Sequence, residues 1–560
     1  MNPAKPSSLG CVVIPFSLAL LASCEGSGGD GAGADAQVAL DTDGPAVDAV
    51  DTGEPGTADV GVGDVGTRPE DVGTPPADAT ASPDAAVRTP VEWGECPEFF
   101  STECAHVELP LDWSEPDGRT ISVLVARRPA ADPNAPQLWL LQGGPGGSGG
   151  TFHTVIETVA ERTGMSVYTL DHRGVGHSAR LGCDDNGWVP APEMAGCLAA
   201  VEETWGEGLA HFTTTAAARD VGALIDRTRA PGQAAFIYGL SYGAYWAMRY
   251  LQLFPTQPAG VVLDSIPTPG VQFFTNYDGY YDPVARELLD LCAADELCRS
   301  KLGDQPWQFL EQLYAKVDAG HCRRLLGPSN AHRTLRNLLG VLLEDWYGRV
   351  YALALIYRLD RCNAGDVRAL THLYETYFVP DAERSRLLAL SSAILFWHIA
   401  FAEMWEEPAP GIAELEARVA PLFFSKDLAL GNPHHDIWPI YPRDEHVWAF
   451  PRTEVPVLML QGTLDPQTPR DLAAVTSENF GAPHQTFTLV PGSPHGVALQ
   501  SPVSTPGADT CGMQIIWSFL SDPMGTPDTR CLADLAPVPF SFAPETNQRY
   551  LGTDDLWENP

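Results

Sequence analysis

Ser241 lies in the sequence Gly-Leu-Ser-Tyr-Gly at residues 239–243, a pattern that suits a nucleophilic serine. An apolar run over 234–238 precedes it and a helical pattern over 244–253 follows it. A sharp turn from strand to helix exposes a serine hydroxyl, and the flanking glycines relieve the crowding of its strained backbone. Because the chain contains 52 Gly, the five-residue motif is weak evidence without the strand and helix that flank it.

An activated serine needs a base that accepts its proton and an acid that orients that base. Asp465 and His495 fit these roles, because each follows a short apolar run and stands at a turn that contains proline or glycine. The order serine, acid, histidine along the chain matches one known arrangement of such triads. Side chains that follow parallel strands meet at the carboxyl edge of the sheet. The sequence therefore predicts a triad of Ser241, Asp465 and His495.

Each of these residues also has an ordinary structural explanation. Asp465 precedes Pro466 and could simply form a turn, and His495 could be a surface histidine, one of 14 in the chain. His484 is the nearest alternative base, but it precedes the apolar run over 487–490 and is expected at the opposite edge of the sheet. None of these explanations accounts for the order and the strand context together.

The tetrahedral intermediate of acyl transfer needs backbone N–H donors for its oxyanion. The residue after the nucleophile, Tyr242, is the expected first donor. The glycine-rich segment 142–149 follows the apolar run 138–141 and is expected to supply the second. The alternative, a phosphate-binding loop, lacks the lysine and the serine or threonine that would follow it, so no nucleotide cofactor is predicted.

Short apolar runs alternate with helical patterns in most of the chain after residue 95, as in a parallel sheet covered on both faces. From about 273 to 430 the pattern is mostly helical, and strand-like runs then resume, which indicates a sheet split by a helical insertion. The predicted strands are 121–126, 138–141, 167–170, 236–238, 261–263, 457–460 and 486–490, with helices over 151–162 and 216–229. The predicted parts are a core over 91–270, a helical cap over 271–435 and the rest of the core over 436–560.

Residues 1–23 have the features of an export signal, with Lys5 before an apolar stretch. Leu-Ala-Ser-Cys at 21–24 resembles a bacterial lipobox, which predicts a lipidated Cys24 and an enzyme anchored to the cell envelope. An ordinary secretory signal or a short membrane anchor is the alternative. Residues 24–90 are rich in Gly, Ala, Asp, Thr and Pro and are expected to form a disordered acidic tether.

The formal net charge of −38 argues against binding to nucleic acid or to anionic lipid through a basic patch. An even number of cysteines after residue 24 in an exported chain suggests disulfides, with nearest-neighbour pairing as the simplest guess. No Cys-x-x-Cys spacing occurs, so we predict no metal site. The predicted disulfide cysteines are Cys96, Cys104, Cys183, Cys197, Cys292, Cys298, Cys322, Cys362, Cys511 and Cys531.

Three segments together resemble the proline iminopeptidase and tripeptidyl aminopeptidase group of α/β hydrolases: 143–147, 171–178 and 239–243. The resemblance covers roughly residues 95 to 535. It implies an α/β-hydrolase fold, with a mostly parallel central sheet and a large inserted helical cap. It also implies that Gly144 and Tyr242 are the oxyanion donors. Gln142 departs from the group, because iminopeptidases have histidine at that position.

In the same group, Asp171 and Arg173 look structural, bracing the turn near the oxyanion loop. Acidic residues of the cap bind the substrate's ammonium group, and Glu403 is a candidate for this role here. The alternative is an ordinary exposed glutamate of a helix.

The resemblance implies an exopeptidase that acts on a free peptide N-terminus through an acyl-enzyme, without a cofactor. An esterase or amidase acting on small acyl compounds is the alternative within the same fold. A non-catalytic surface-binding lipoprotein is the alternative of another class. The expected partner is a peptide or a small acyl substrate, the lipid anchor is the expected contact with the membrane, and the oligomeric state is left open.

Overall fold

The computed structural model describes residues 91–100, 102–183, 187 and 189–558, and the structural statements below concern these residues. The predicted export signal, Cys24 and the tether over 24–90 lie outside them.

One eight-stranded sheet forms the centre of the fold, in the order β1-β2-β4-β3-β5-β6-β7-β8. Strand β2 runs antiparallel to its neighbours β1 and β4, and the remaining pairs are parallel. This confirms the predicted mostly parallel sheet. The strands are β1 Glu103–Pro110, β2 Thr120–Arg128, β3 Gln137–Leu141, β4 Ser166–Leu170, β5 Ala235–Leu240, β6 Gly260–Asp264, β7 Val457–Gly462 and β8 Gln485–Val490.

Strand β1 was not predicted, because it lacks the continuous apolar run of the central strands. It lies at the edge of the sheet, and exposed residues such as His106 and Glu108 interrupt its buried positions. By contrast, every residue of β3, β4, β6 and β7 is buried. Strands covered on both faces need apolar side chains at successive positions, which explains why the sequence revealed them.

Seventeen α-helices accompany the sheet in the described part of the chain. On one face, α1 and α16 pack their apolar side chains against the sheet, and α3 and α4 pack on the other. The helices are α1 Ile156–Thr163, α2 Ala191–Trp205, α3 Thr214–Thr228, α4 Tyr242–Leu253, α5 Tyr281–Ala294, α6 Glu296–Leu302, α7 Pro306–Asp318, α8 Arg323–Leu326, α9 Ala331–Leu342, α10 Gly348–Arg361, α11 Ala364–Leu373, α12 Ala382–Ala389, α13 Ala393–Glu403, α14 Ile412–Val419, α15 Arg470–Ser477, α16 Cys511–Ser521 and α17 Pro544–Leu551.

The helical insertion lies between β6 and β7, where helices α5 to α14 occur and no strand does within residues 265–456. It contacts loops at the carboxyl edge of the sheet. The Ser392 N–H donates to the Gly146 carbonyl at 2.9 Å, and the Gly176 N–H donates to the Leu390 carbonyl at 2.9 Å. The insertion therefore covers the edge where the predicted triad residues follow their strands, and we call it the cap.

The C-terminal residues pack on the cap, although all of 436–560 was predicted to belong to the core. The Arg358 guanidinium of α10 donates to the Leu556 carbonyl at 2.9 Å and to the Asp555 carbonyl at 2.7 Å. Arg358 is buried, so these carbonyls satisfy donors that have left water. A contact between residues nearly 200 positions apart leaves no local pattern in the sequence.

All five disulfides of the nearest-neighbour guess are present: Cys96–Cys104, Cys183–Cys197, Cys292–Cys298, Cys322–Cys362 and Cys511–Cys531. Among the described residues, no single helix has the length and apolar composition needed to cross a membrane. Helices α12 and α13 pass that test only when they are taken together, and they meet at a bend of 52°.

Candidate active site

Ser241 lies between β5 and α4 with φ 57° and ψ −123°, a conformation that non-glycine residues rarely adopt. Its N–H donates to the Asp264 carbonyl at 2.9 Å, which fixes the turn on the neighbouring strand. The residues two positions before and after Ser241 must be glycine, because a side chain would not fit there. A Cβ atom on Gly239 would lie 2.2 Å from the Gly243 carbonyl oxygen, and one on Gly243 would lie 2.1 Å from the Leu141 carbonyl oxygen. The strand, turn and helix around Ser241 therefore form the predicted elbow.

Asp465 follows β7 and is buried, with both carboxylate oxygens in hydrogen bonds. One oxygen accepts from the backbone N–H of Gln467 at 2.8 Å and of Thr468 at 3.0 Å. The other accepts from the Thr468 hydroxyl at 2.7 Å and from the Gln461 amide at 3.1 Å. These donors fix the carboxylate in one orientation.

His495 follows β8, and its Nδ1 lies 2.9 Å from one oxygen of Asp465 and 3.1 Å from the other. When Nδ1 donates to this carboxylate, the neutral imidazole carries its lone pair on Nε2, as a general base requires. Burial disfavours the charged form of His495, but the Asp465 charge and hydrogen bond outweigh it and raise the histidine pKa. Burial likewise opposes ionisation of Asp465, yet His495 and the Thr468 hydrogen bonds lower its pKa.

Asp264 and Ser265, at the end of β6, connect the elbow to the loop that carries His495. The Asp264 carboxylate accepts from the Val497 N–H at 2.8 Å and from the Ala498 N–H at 2.9 Å. The Ser265 hydroxyl accepts from the Gly496 N–H at 2.7 Å. Neither residue was predicted from the sequence. Asp264 directly follows the predicted strand 261–263, so the rule that found Asp465 could also have found it.

The glycine-rich loop after β3 lies against the elbow. A Cβ atom on Gly143 would lie 3.0 Å from the Ser241 Cβ and 3.3 Å from the Tyr242 nitrogen. The Gln142 side-chain oxygen accepts from the Gly143 N–H at 2.7 Å, so this N–H is already used. Tyr242 is the first residue of α4, where backbone N–H groups have no intrahelical acceptor. The loop therefore lies beside the start of α4, and the roles of Gly144 and Tyr242 as oxyanion donors stay predictions.

The Asp171 carboxylate holds the end of the glycine-rich loop 142–149 in place, as the family resemblance implied. Its carboxylate accepts from the Ser148 hydroxyl at 2.6 Å, the Gly149 N–H at 3.0 Å and the His177 N–H at 2.8 Å. Burial raises the pKa of Asp171 to about 6. These contacts give Asp171 a structural role.

Arg173 forms a buried ion pair with Asp220 on α3, with nitrogen-to-oxygen distances of 2.6 and 2.7 Å. Its third nitrogen donates to the Leu111 and His211 carbonyls, both at 2.9 Å. Arg173 therefore ties the turn after β4 to α3 and to the end of β1.

Glu403 lies at the end of α13 and is buried, with four donors around its carboxylate. Arg249 of the elbow helix lies 2.9 Å away and Tyr245 3.0 Å away from one oxygen. Tyr441 lies 2.7 Å and the Thr214 N–H 3.2 Å from the other. The binding of a substrate amine by Glu403 stays a prediction, and these contacts favour a different role in which Glu403 joins the cap to α4.

Three aromatic side chains of the cap extend from the oxyanion loop towards the triad acid. The Phe396 nitrogen lies 3.4 Å from the position of a Cβ atom on Gly146. The Phe396 ring packs on Phe274 at 5.2 Å between centroids, and Phe274 packs on Tyr277 at 5.7 Å. The Tyr277 hydroxyl donates to the Gln467 side chain at 2.8 Å, beside Asp465. We call Phe274, Tyr277 and Phe396 the aromatic wall.

The rival base, His484, lies at the start of β8 and contacts the Glu454 carbonyl, at the edge of the sheet opposite His495. His484 was expected at this opposite edge because it precedes its strand. Among the described residues, no group of three or more His, Cys, Asp or Glu side chains is arranged to hold a metal ion.

A family model for the alpha/beta hydrolase fold matches residues 136–502. The chain belongs to the α/β-hydrolase fold family. The match covers the sheet from β3 to β8 together with the cap. It also includes Ser241, Asp465, His495 and the glycine-rich loop.

Curated relatives of the chain are peptidases by name. The tripeptidyl aminopeptidase of Streptomyces lividans is 28% identical over 282 residues, which are 43% of this chain and 51% of the relative. The serine protease Hip1 of Mycobacterium bovis is 27% identical over 266 residues, 41% of this chain and 50% of the relative. The chain thus spans about half the length of these relatives.

A proline iminopeptidase of Aeromonas sobria is 29% identical over 170 residues, covering 28% of this chain and 34% of the relative. Among solved structures, a proline iminopeptidase of Mycobacterium smegmatis aligns with 75% of this chain and 99% of its own, at 17% identity and a TM-score of 0.32.

Proposed function

We propose that this chain is a serine exopeptidase that removes residues from the free N-terminus of a peptide. The observation that carries the proposal is the pair of Asp465 and His495, which are 2.9 Å apart. Asp264 and Ser265 bind the loop that carries His495, and the Asp264 carbonyl also accepts the Ser241 N–H. The names of the curated relatives, tripeptidyl aminopeptidase and proline iminopeptidase, support a peptide substrate with a free N-terminus.

In the first half of the proposed reaction, the Ser241 oxygen attacks the carbonyl carbon of the scissile peptide bond while His495 Nε2 accepts the hydroxyl proton. The N–H groups of Gly144 and Tyr242 donate to the oxygen that becomes negative, and each such donor contributes about 10²- to 10³-fold to the rate. Protonated His495 then passes its proton to the leaving amine. The carbon–nitrogen bond breaks, and the N-terminal fragment stays on Ser241 as an ester.

In the second half, a water molecule attacks this ester and His495 accepts the proton of the water. The ester bond to Ser241 breaks, the serine oxygen regains a proton from His495, and the fragment leaves with a new carboxylate. Asp465 stabilises the imidazolium in both halves and does not itself take a proton.

We also propose that the enzyme is exported and lipid-anchored through Cys24, with 24–90 as a tether. Five disulfides support an oxidising compartment, because such bonds persist mainly outside the cytosol. Metabolic labelling with an alkyne fatty acid tests the anchor. We expect the wild-type chain to be labelled and to remain with the membrane fraction, and Cys24→Ser to lose the label. Equal labelling of both would contradict lipidation at Cys24.

The substrate class is tested with the full-length chain and fluorogenic tripeptide amides that have either a free or an acetylated N-terminus. We expect the free peptides to be cleaved at least about 10-fold faster, since 1.4 kcal/mol of recognition of the amine corresponds to that factor. Short-chain p-nitrophenyl esters serve as a parallel substrate and Ser241→Ala as the inactive control. Equal cleavage of blocked peptides would contradict an aminopeptidase, and hydrolysis of esters alone would favour the esterase.

A further inference from the structure

The turn that holds the triad acid is connected to the interior of the cap through Gln467. Its backbone N–H donates to Asp465 at 2.8 Å, as described above. Its side-chain oxygen accepts from the Tyr277 hydroxyl at 2.8 Å, and its carbonyl accepts from the Gln272 amide at 2.6 Å. The position of this turn therefore depends on residues of the segment that enters the cap.

Beyond Tyr277 the polar contacts continue into the cap. The Tyr281 hydroxyl lies 3.0 Å from the Tyr277 hydroxyl and also contacts one carboxylate oxygen of Glu344, and it donates its single proton to one of the two at a time. The same oxygen of Glu344 lies 3.0 Å from the Lys426 ammonium group. We call Gln467, Tyr277, Tyr281, Glu344 and Lys426 the cap relay, and all of its members from the cap are less than 10% exposed.

Stability alone does not explain the cap relay. A buried ion pair is weak evidence for stability, because desolvation can cost as much as the pair gains. The second carboxylate oxygen of Glu344 is buried and has no hydrogen-bond partner among the described residues, which adds to that cost. The segment that carries Glu344 also contacts the loop of His495, because the Trp346 N–H donates to the Gln500 side-chain oxygen at 2.8 Å and the Gln500 amide donates to the His495 carbonyl. The arrangement thus places a charge beside this loop at an energetic expense, as functional sites often do.

We propose that Tyr277 and Glu344 are positioning residues of the active site: Tyr277 fixes the acid turn through Gln467, and Glu344 sets the electrostatic environment of His495 from the cap. The catalytic triad would then depend on a correctly seated cap. The inference rests on the proposed serine chemistry of Ser241, and it does not depend on whether the substrate is a peptide.

The charged groups around His495 come from β6, from the turn after β7 and from the cap, which also places the buried Arg349 guanidinium of α10 against the Gly492 carbonyl of the His495 loop. Asp465 lies after β7 and Asp264 at the end of β6, and Glu344 follows α9 in the cap, where Lys426 is its partner. All three carboxylates raise the pKa of His495 against the opposing effect of its burial. Because Glu344 touches none of the reacting groups, its removal should shift the titration of His495 without removing the base.

Labelling of Ser241 by a fluorophosphonate tests the proposal, because the reagent needs an activated serine and no free amine. The test uses the full-length protein with Tyr277→Phe, which removes only the hydroxyl. Tyr314→Phe is the matched control, since Tyr314 is also a buried cap tyrosine and its hydroxyl donates to the Phe423 carbonyl at 2.6 Å. We expect labelling of Tyr277→Phe to be about 3- to 10-fold slower than that of the control, the effect of about one hydrogen bond.

Equal labelling rates of the two variants, at equal melting temperatures, would overturn the role of Tyr277. Glu344→Gln provides the second measurement and keeps the proposal falsifiable if Tyr277→Phe does not fold. We expect the acid limb of the pH profile of labelling to move to lower pH in Glu344→Gln, because a negative charge near His495 is lost. An unmoved limb would overturn the role of Glu344. Loss of peptide cleavage with normal labelling in the wild type would instead count against the proposed peptidase function alone.

Discussion

The backbone of Asp264 holds Ser241 while its carboxylate holds the loop of His495. Its carbonyl accepts the Ser241 N–H at 2.9 Å, and its two carboxylate oxygens accept the Val497 and Ala498 N–H groups at 2.8 and 2.9 Å. One residue of β6 therefore sets the distance between the nucleophile elbow and the base loop. Preorganisation of this kind matters because a misplacement of about 1 Å can cost on the order of 10² in rate.

Asp264→Ala is therefore expected to lower kcat/KM for ester and peptide substrates by about 10- to 100-fold, although Asp264 touches no reacting atom. The Val497 and Ala498 N–H groups lose their acceptor, and the loop that carries His495 is released. Glu383→Ala, at an exposed carboxylate of the cap, is the control. Unchanged kcat/KM in a folded Asp264→Ala variant would show that the loop is held without this residue.

Ser241→Ala is expected to reduce kcat by about 10⁴- to 10⁶-fold and to leave the fold intact. The alanine keeps the Cβ atom and can occupy the same backbone conformation, at φ 57°, at a similar cost in strain. The measurements are hydrolysis of a p-nitrophenyl ester and the melting temperature. Substantial residual hydrolysis by purified Ser241→Ala would exclude Ser241 as the nucleophile.

The pH profile of kcat/KM is expected to fall on the acid side with a midpoint above pH 6.5, the ordinary pKa of histidine. His495 acts as a base only when it is neutral, and Asp465 raises its pKa. Activity is therefore present above this raised pKa and is lost as the pH falls through it. A midpoint below 6.5 would contradict the close pairing of the two side chains.

Asp465→Asn tests the pair of Asp465 and His495 by changing the acid. The carboxamide can donate to Nδ1 and so favour the wrong tautomer, and kcat is expected to fall by about 10⁴-fold. The folded state should persist, because the side chain keeps its size. A loss in kcat of less than about 10-fold would argue for a different acid, with Asp264 as the next carboxylate to test.

The position of Ser241, Asp465 and His495 after their strands could be predicted for a simple physical reason. Parallel strands place their carboxyl ends at one edge, so three residues that each follow an apolar run are brought together by the sheet itself. Asp264 obeys the same rule and was missed only because no chemical role was sought for it. The cap could not be predicted in this way, because its contacts join residues far apart in the chain and α-helices can pack in many ways.

Glu403 illustrates this difference. Its sequence neighbours show a helix but do not show that the helix end meets Arg249 of α4, 154 positions away. From the sequence alone, the Glu403 carboxylate could bind a substrate. In the structure, an arginine, two tyrosines and a backbone N–H surround this carboxylate. The contact with Arg249, which the sequence does not reveal, favours a role in joining the cap to α4 over the binding of a substrate amine.

Glu403→Gln separates the two interpretations of this residue. If Glu403 joins the cap to α4, loss of its charge leaves the buried Arg249 guanidinium with only the Asp444 carboxylate, 3.9 Å away, and the free energy of unfolding should fall by as much as about 3 to 5 kcal/mol. Ester and peptide hydrolysis should then change together, since the cap loosens for both substrates. If Glu403 binds the substrate amine, stability should change little, and KM should rise only for peptides with a free N-terminus. Denaturant unfolding, measured beside kinetics on acetylated and free peptides, distinguishes these outcomes. We expect the first.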